Sequence, residues 1–249
     1  MPAAPQPRIL LVDDNADNLM LMQLYLGDSP YHVDLATDGR EAVEKYAAAP
    51  YDLVFMDLEM PYLDGYDATR AIRELERRAG RPPTPILVLT AHALDEIRLR
   101  CLDAGCTDFL VKPVRKSAVL AAIVRHLATA TPDDAAAPAT PSTLPRAEQE
   151  LLRPLLPVFF TSAAASLDEA GRALDRDDLT AVRIQGHKLK GSALSYGFDA
   201  LGQAALRLER AGENLDAITA RMALEQATRQ LRAARRSAGL EEEDGTERA

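Results

Sequence analysis

Five short apolar runs, each followed by a segment with helical spacing, set the fold of the first half of this chain. They read ILLV after Arg8, HVDLA from His32, LVFM after Asp52, ILVLT after Pro85 and FLV after Asp108. A continuous apolar run of this length marks a strand covered on both faces. After the first run, Leu19, Met22 and Leu26 recur at helical spacing, and helices are expected over 15–26, 38–48, 65–79, 94–104 and 115–127. This alternation predicts an α/β fold: a doubly wound, five-stranded parallel sheet with right-handed crossovers, of flavodoxin type.

The pattern stops at Ala128. Residues 128–145, ATATPDDAAAPATPSTLP, are rich in Pro, Ala and Thr and read as a semi-extended linker. Beyond it the β-branched runs disappear and helical segments follow at 146–175, 178–195, 198–212 and 215–237. Breaks fall at Asp177-Asp178, Tyr196-Gly197-Phe198 and Ala211-Gly212, while Pro154 and Pro157 are expected to kink or divide the first segment. Four helices with short connections predict an all-α four-helix bundle. The expected layout is a tail at 1–7, an α/β domain at 8–127, the linker, a bundle at 146–238 and an acidic tail at 239–249.

Composition narrows the function. The net charge of −9 argues against nucleic-acid binding, which needs a basic face. Residues 1–145 carry net −7, residues 146–238 net +2 and the tail net −4. No apolar run approaches the ~20 residues that cross a bilayer, so no membrane insertion is expected. Met1 to Pro7 lacks the basic and apolar regions of a secretory leader. Cys101 and Cys106 lack a zinc-site pattern and read as small buried side chains of a reducing, cytoplasmic setting. The chain carries neither a Walker-type loop nor a recognition helix, and two modules leave no room for an ATP-binding kinase domain.

Ligands of open parallel sheets bind beyond the carboxyl ends of the strands. There this sequence places Asp13-Asp14, Asp57, Thr90 and Lys112, the last followed by Pro113. Carboxylates brought together need a compensating cation, and a small set of hard oxygens suits Mg²⁺ or a similar divalent ion such as Mn²⁺. Lys112 and the Thr90 hydroxyl are suited to phosphoryl oxygens. Such a site stabilises a phosphoryl group moving in line onto Asp57.

LLVDD, LVFMDLEMPYLDG, ILVLTA and DFLVKP, in order and spacing, make residues 8–127 resemble the receiver domain of two-component response regulators. The resemblance implies that Asp57 is the phosphoacceptor, with Asp14 binding Mg²⁺ directly, Asp13 mainly through water, and the Glu59 backbone carbonyl supplying another ligand. It further implies that Thr90 and Lys112 contact the phosphoryl group and that Phe109 is the aromatic switch. Glu59 and His92 occupy positions that tune phosphate lifetime in that family; His92 itself reads as a surface loop side chain.

The second half contains GHKLKGSA from Gly186. On a helix His187, Lys190 and Gly191 share a face, while Leu189 and Leu194 can point inward. A neutral imidazole is a fair nucleophile, Lys190 can offset phosphate charge, and Gly191 leaves room for an approaching protein. With HKLKG matching the HxxKG hallmark, residues 146–237 resemble a histidine phosphotransfer domain, which makes His187 the phosphorylated residue. Glu209 falls where relatives carry a polar group near the imidazole. An acid disfavours phosphate, so no contact is claimed for it.

Together the two resemblances imply a phosphorelay intermediate, with no ATP-dependent kinase activity of its own. Its implied partners are an upstream histidine kinase and other receiver domains, and a homodimer through the receiver is a further option. The alternative is a gated interaction module, in which Asp57 phosphorylation controls partner binding by the helical domain. Whether Asp57 serves His187 within one chain stays open at this stage.

Overall fold

Parallel pairing of the five apolar runs organises the first half of the chain. In the computed structural model, the described residues are 6–27, 29–90, 95–127 and 146–240. The predicted linker, most of both predicted tails, and His92 lie outside them. The chain divides into two compact units, Met1–Thr140 and Pro141–Ala249.

In the first unit the elements are β1 (Arg8–Val12), α1 (Ala16–Leu26), β2 (His32–Ala36), α2 (Gly39–Ala48), β3 (Leu53–Asp57), α3 (Gly65–Ala79), β4 (Ile86–Thr90), α4 (Asp95–Ala104), β5 (Asp108–Val111) and α5 (Lys116–Leu127). The strand order β2-β1-β3-β4-β5 is that of a doubly wound sheet, with every pair parallel. Contacts of α1 with α5, of α2 with α3 and of α3 with α4 put helices on both faces. β3 and β4 are buried throughout and β1 nearly so. β2 and β5 are only partly buried, because each forms a sheet edge with an unpaired side.

Register decides what stands at the carboxyl edge. Val12 pairs with both Ala36 and Met56, Asp57 with Leu89, and Thr90 with Val111. Asp13, Asp57, Thr90 and Lys112 therefore leave the sheet at one level, around the β1/β3 switch point. Asn15 caps α1 by accepting from the Asp17 amide at 3.0 Å, and Asp64 caps α3 through the Asp67 amide at 2.8 Å. Gly65 begins α3 so close to β3 that a β-carbon there would lie 2.1 Å from the Asp57 carbonyl oxygen.

The second unit opens with α6 (Arg146–Leu152), a 3₁₀ turn (Arg153–Leu155) and α7 (Leu156–Asp175), followed by α8 (Leu179–Ser195), α9 (Asp199–Glu213) and α10 (Ala217–Ser237). The prolines divide the first segment as expected. Pro154 lies in the 3₁₀ turn and Pro157 in the first turn of α7, where a missing amide donor costs nothing. α7, α8, α9 and α10 each contact the next, and α10 returns to α7, which closes a four-helix bundle. Asp178 and Asp216 cap α8 and α10 through the Ala181 and Thr219 amides. Phe159 stacks on Tyr196 and Phe198, with ring centroids 4.7 and 5.2 Å away, and closes one end of the core.

α8 and α9 touch through glycine. A β-carbon at Gly186 would meet the Glu209 amide nitrogen at 2.5 Å and its α-carbon at 2.8 Å; one at Gly212 would meet the Arg183 nitrogen at 2.6 Å. These neighbours are backbone and cannot turn aside. Gly171 in α7 differs, since its nearest neighbour is the Leu224 side chain at 3.6 Å, an ordinary contact.

Gly186→Ala is therefore expected to destabilise the bundle by ~1–3 kcal/mol through overpacking. Gly171→Ala should stabilise it by up to ~1 kcal/mol through helix propensity. Urea unfolding of the full chain followed by circular dichroism checks both signs.

Candidate functional site

The first cluster stands at the carboxyl edge of the sheet. Asp13 and Asp57 are each only 3% exposed. Lys112 reaches between them, its Nζ 2.9 Å from Asp13 Oδ2 and 2.8 Å from Asp57 Oδ2. Its backbone amide donates to the Thr90 carbonyl at 2.6 Å, so the β4–β5 pairing fixes where the ammonium emerges. Burial alone would lower the pKa of Lys112, but Asp13 and Asp57 outweigh it and hold the lysine charged well beyond its usual range.

Asp13 is held from several sides. Its Oδ1 accepts from the Asn15 amide at 2.9 Å, and Asn18 Nδ2 lies 3.1 Å from both carboxylate oxygens. Sequence reading missed Asn18. The available signal was an amide on a helical turn otherwise used for packing, one turn after the carboxylate pair. Asp14 is half-buried beside them. Ligand oxygens of Asp13, Asp14 and Asp57 all lie within 4.8 Å of one another, and three hard oxygen donors this close fit a small divalent cation.

Thr90 is buried at the end of β4, one residue beyond the Leu89 that pairs with Asp57. Glu59 lies two residues past Asp57 with an exposed side chain. Phe109 sits half-buried on β5 against Leu58, Tyr66, Val88, Cys101, Ala104 and Cys106. Burial raises the thiols of Cys101 and Cys106, the latter to about 12.

The second cluster lies on the bundle. His187 and Lys190 share a face of α8 as expected, with Lys190 Nζ 3.4 Å from His187 Nδ1. Leu189 is buried, and Leu194 lies over Gly202 of α9. Gly191 is one turn beyond His187 and half-buried.

Glu209 adds a contact that the sequence reading did not claim. Its Oε1 is 2.7 Å from His187 Nδ1 and 3.0 Å from Lys190 Nζ, and its Oε2 is 2.7 Å from Lys190. The carboxylate faces the ring nitrogen on the α9 side, and the buried Lys190 offsets its charge. The sequence alone supported no claim of contact, because repulsion from phosphate was weighed without this lysine. Burial of Glu209 would raise its carboxyl, but hydrogen bonds from His187 and Lys190 hold it below the usual range. Gly186 makes the arrangement possible, because it lets the Glu209 backbone approach α8.

The response regulator receiver domain profile matches residues 9–124, and the Hpt domain profile matches residues 154–235. The chain is a receiver domain joined to an Hpt domain. The virulence sensor protein BvgS of Bordetella bronchiseptica is 31% identical over 230 residues, which cover 84% of this chain and 19% of that protein. The sensor histidine kinase GacS of Pseudomonas protegens is 42% identical over 108 residues, 43% of this chain and 12% of that one. Among solved structures, the receiver domain of the sensor histidine kinase PA1611 from Pseudomonas aeruginosa aligns with 38% identity and a TM-score of 0.45. That alignment covers 50% of this chain and all of that one. This chain thus spans under a fifth of the length of either curated relative.

Because the Glu209 carboxyl is depressed in the folded Hpt domain, its stabilisation is complete above the unfolded value of 4.5 and is lost as pH falls through the lower folded value. Glu209→Gln should lower stability at pH 7, since Lys190 loses its counter-charge, and should flatten the stability–pH curve below pH 4.5. Thermal unfolding of both proteins across the acid range tests this.

Proposed function

We propose that this chain is a phosphorelay intermediate of a two-component system, with Asp57 and His187 as its two phosphoryl acceptors. The observation that carries the reading is Lys112, which points one ammonium at two buried carboxylates on adjacent strands. Phosphoryl transfer is catalysed by positioning and by positive charge held where the phosphoryl oxygens gather, and a buried ammonium at the ligand-binding edge of the sheet supplies that charge.

In the receiver, an Asp57 oxygen attacks the phosphorus of a donor phosphohistidine. The N–P bond breaks, the O–P bond of an acyl phosphate forms, and the donor imidazole recovers its electron pair. Lys112 and the Thr90 hydroxyl meet the phosphoryl oxygens, and Lys112 exchanges part of its bond with Asp57 for one with the incoming group. Asp13, Asp14, Asp57 and the Glu59 carbonyl would hold Mg²⁺, which when bound supplies positive charge against the acids and the phosphoryl group. Asn18 and Asn15 keep Asp13 oriented for that role. Repacking of Phe109 against its cluster is the route by which the phosphorylated state would be reported.

In the Hpt domain, Glu209 accepts from Nδ1–H and so selects the tautomer whose Nε2 lone pair attacks phosphorus. Lys190 acts through Glu209, neutralising it so that a carboxylate can stand beside a phosphorylated ring. The partners are a histidine kinase that loads the relay and receiver domains that exchange with His187. Buried free Cys101 and Cys106 fit a reducing, cytoplasmic setting, and among the described residues no helix is long and apolar enough to cross a membrane. No observation favours the gated-interaction alternative.

Phosphoramidate with Mg²⁺ should label wild type at Asp57 and His187, Asp57→Ala at histidine alone and His187→Ala at aspartate alone, as read by acid- and base-stability of the label. Loss of both labels in either single variant would contradict the two-acceptor reading. Asn18→Ala should weaken Mg²⁺ binding by ~10–100-fold, the range for groups that orient a metal ligand, measured by calorimetric titration.

A further inference from the structure

The loop between β3 and α3 holds a residue that the relay chemistry leaves unexplained. Tyr62, five positions after Asp57, has φ of 68° and a side chain that is 80% exposed. A non-glycine residue in the left-handed region costs ~1–2 kcal/mol, and no burial of this ring offsets it. The neighbours hold it there nonetheless. The Leu63 amide donates to the Pro61 carbonyl at 2.8 Å and the Gly65 amide to the Leu58 carbonyl at 3.0 Å. Leu63 is clamped against α2, where a β-carbon on Gly39 would lie 2.4 Å from its carbonyl oxygen. Arg40, the next residue of α2, sets its guanidinium 4.6 Å from the Tyr62 ring centroid. The result is a braced aromatic ring presented to solvent in the loop that follows the phosphoacceptor.

Strain kept at an exposed position next to a reacting group points to a function for that position. Tyr and Arg are the residue types that dominate binding hot spots, where a rigid ring loses little entropy on contact. We infer that Tyr62, braced by Arg40, is an anchor for the histidine-bearing helix of a phosphoryl partner, and that α8 of a second copy of this chain fits it. The inference rests on the relay reading above. Ile184 stands one helical turn before His187 on the same face and is 37% exposed. Each acceptor thus has an exposed apolar side chain within a few residues of it. Residues 1–145 carry net −7 and residues 146–238 net +2, so receiver and bundle of different copies attract.

The test uses two full-length chains. An Asp57→Ala chain is loaded at His187 with phosphoramidate, desalted and mixed with His187→Ala acceptor chains that do or do not carry Tyr62→Ala. Tyr62→Ala should raise the half-saturating donor concentration by roughly tenfold, equivalent to about 1.4 kcal/mol, while direct phosphoramidate labelling of Asp57 is unchanged. Tyr62→Phe should keep the rate, and Arg40→Ala should lose part of it. Tyr62→Gly should raise the melting temperature by relieving the backbone and still lose transfer, which separates anchoring from folding. Unchanged transfer by Tyr62→Ala, or an equal loss with phosphoramidate, would overturn the anchor. Absence of transfer from the loaded chain to the Tyr62-bearing acceptor would overturn the choice of α8. Failure of phosphoramidate to label Asp57 at all would instead sink the relay reading beneath it.

Discussion

One ammonium group makes the receiver's carboxyl edge tenable. Asp13 and Asp57 are buried at the ends of adjacent strands, where like charges repel. Lys112, presented by the β4–β5 pairing, lies within 3 Å of both and offsets their charge. The remaining parts depend on that balance. Asn15 and Asn18 orient Asp13, and the carboxylates stay close enough together to fit a small divalent cation. The Hpt domain solves the mirror problem with Lys190, which neutralises a single buried acid beside a ring.

Most of the fold was legible because period and punctuation agreed. The apolar runs that became β1, β3 and β4 are continuous because both faces are covered, and the capping residues Asn15, Asp64, Asp178 and Asp216 stand where helices begin. β5 was harder to place in depth: FLV reads as a core strand, yet it forms an edge, and composition carries no record of which neighbour a strand lacks. Pro154 and Pro157 announced their break because a ring at nitrogen acts locally.

Of the sites, the residues fixed by register were readable, since Asp13, Asp57, Thr90 and Lys112 each end or follow a strand. Asn18 was not, because a lone amide in a helix is common and its meaning comes only from the carboxylate it meets. Glu209 failed for a related reason. Its charge looked unfavourable beside a phosphate until Lys190, 19 positions away, was seen to share it. Pairwise arguments from sequence miss a third partner when the three are divided between two helices.

The glycine contact between α8 and α9 has a consequence for how firmly the histidine is held. Gly186 immediately precedes His187 and rests on the main chain of Glu209, so the residue that carries the ring and the one that orients it are joined by backbone. No compressible side chain lies between them to absorb a push. The position of the imidazole is therefore inherited from main-chain atoms, which leave it little room to shift.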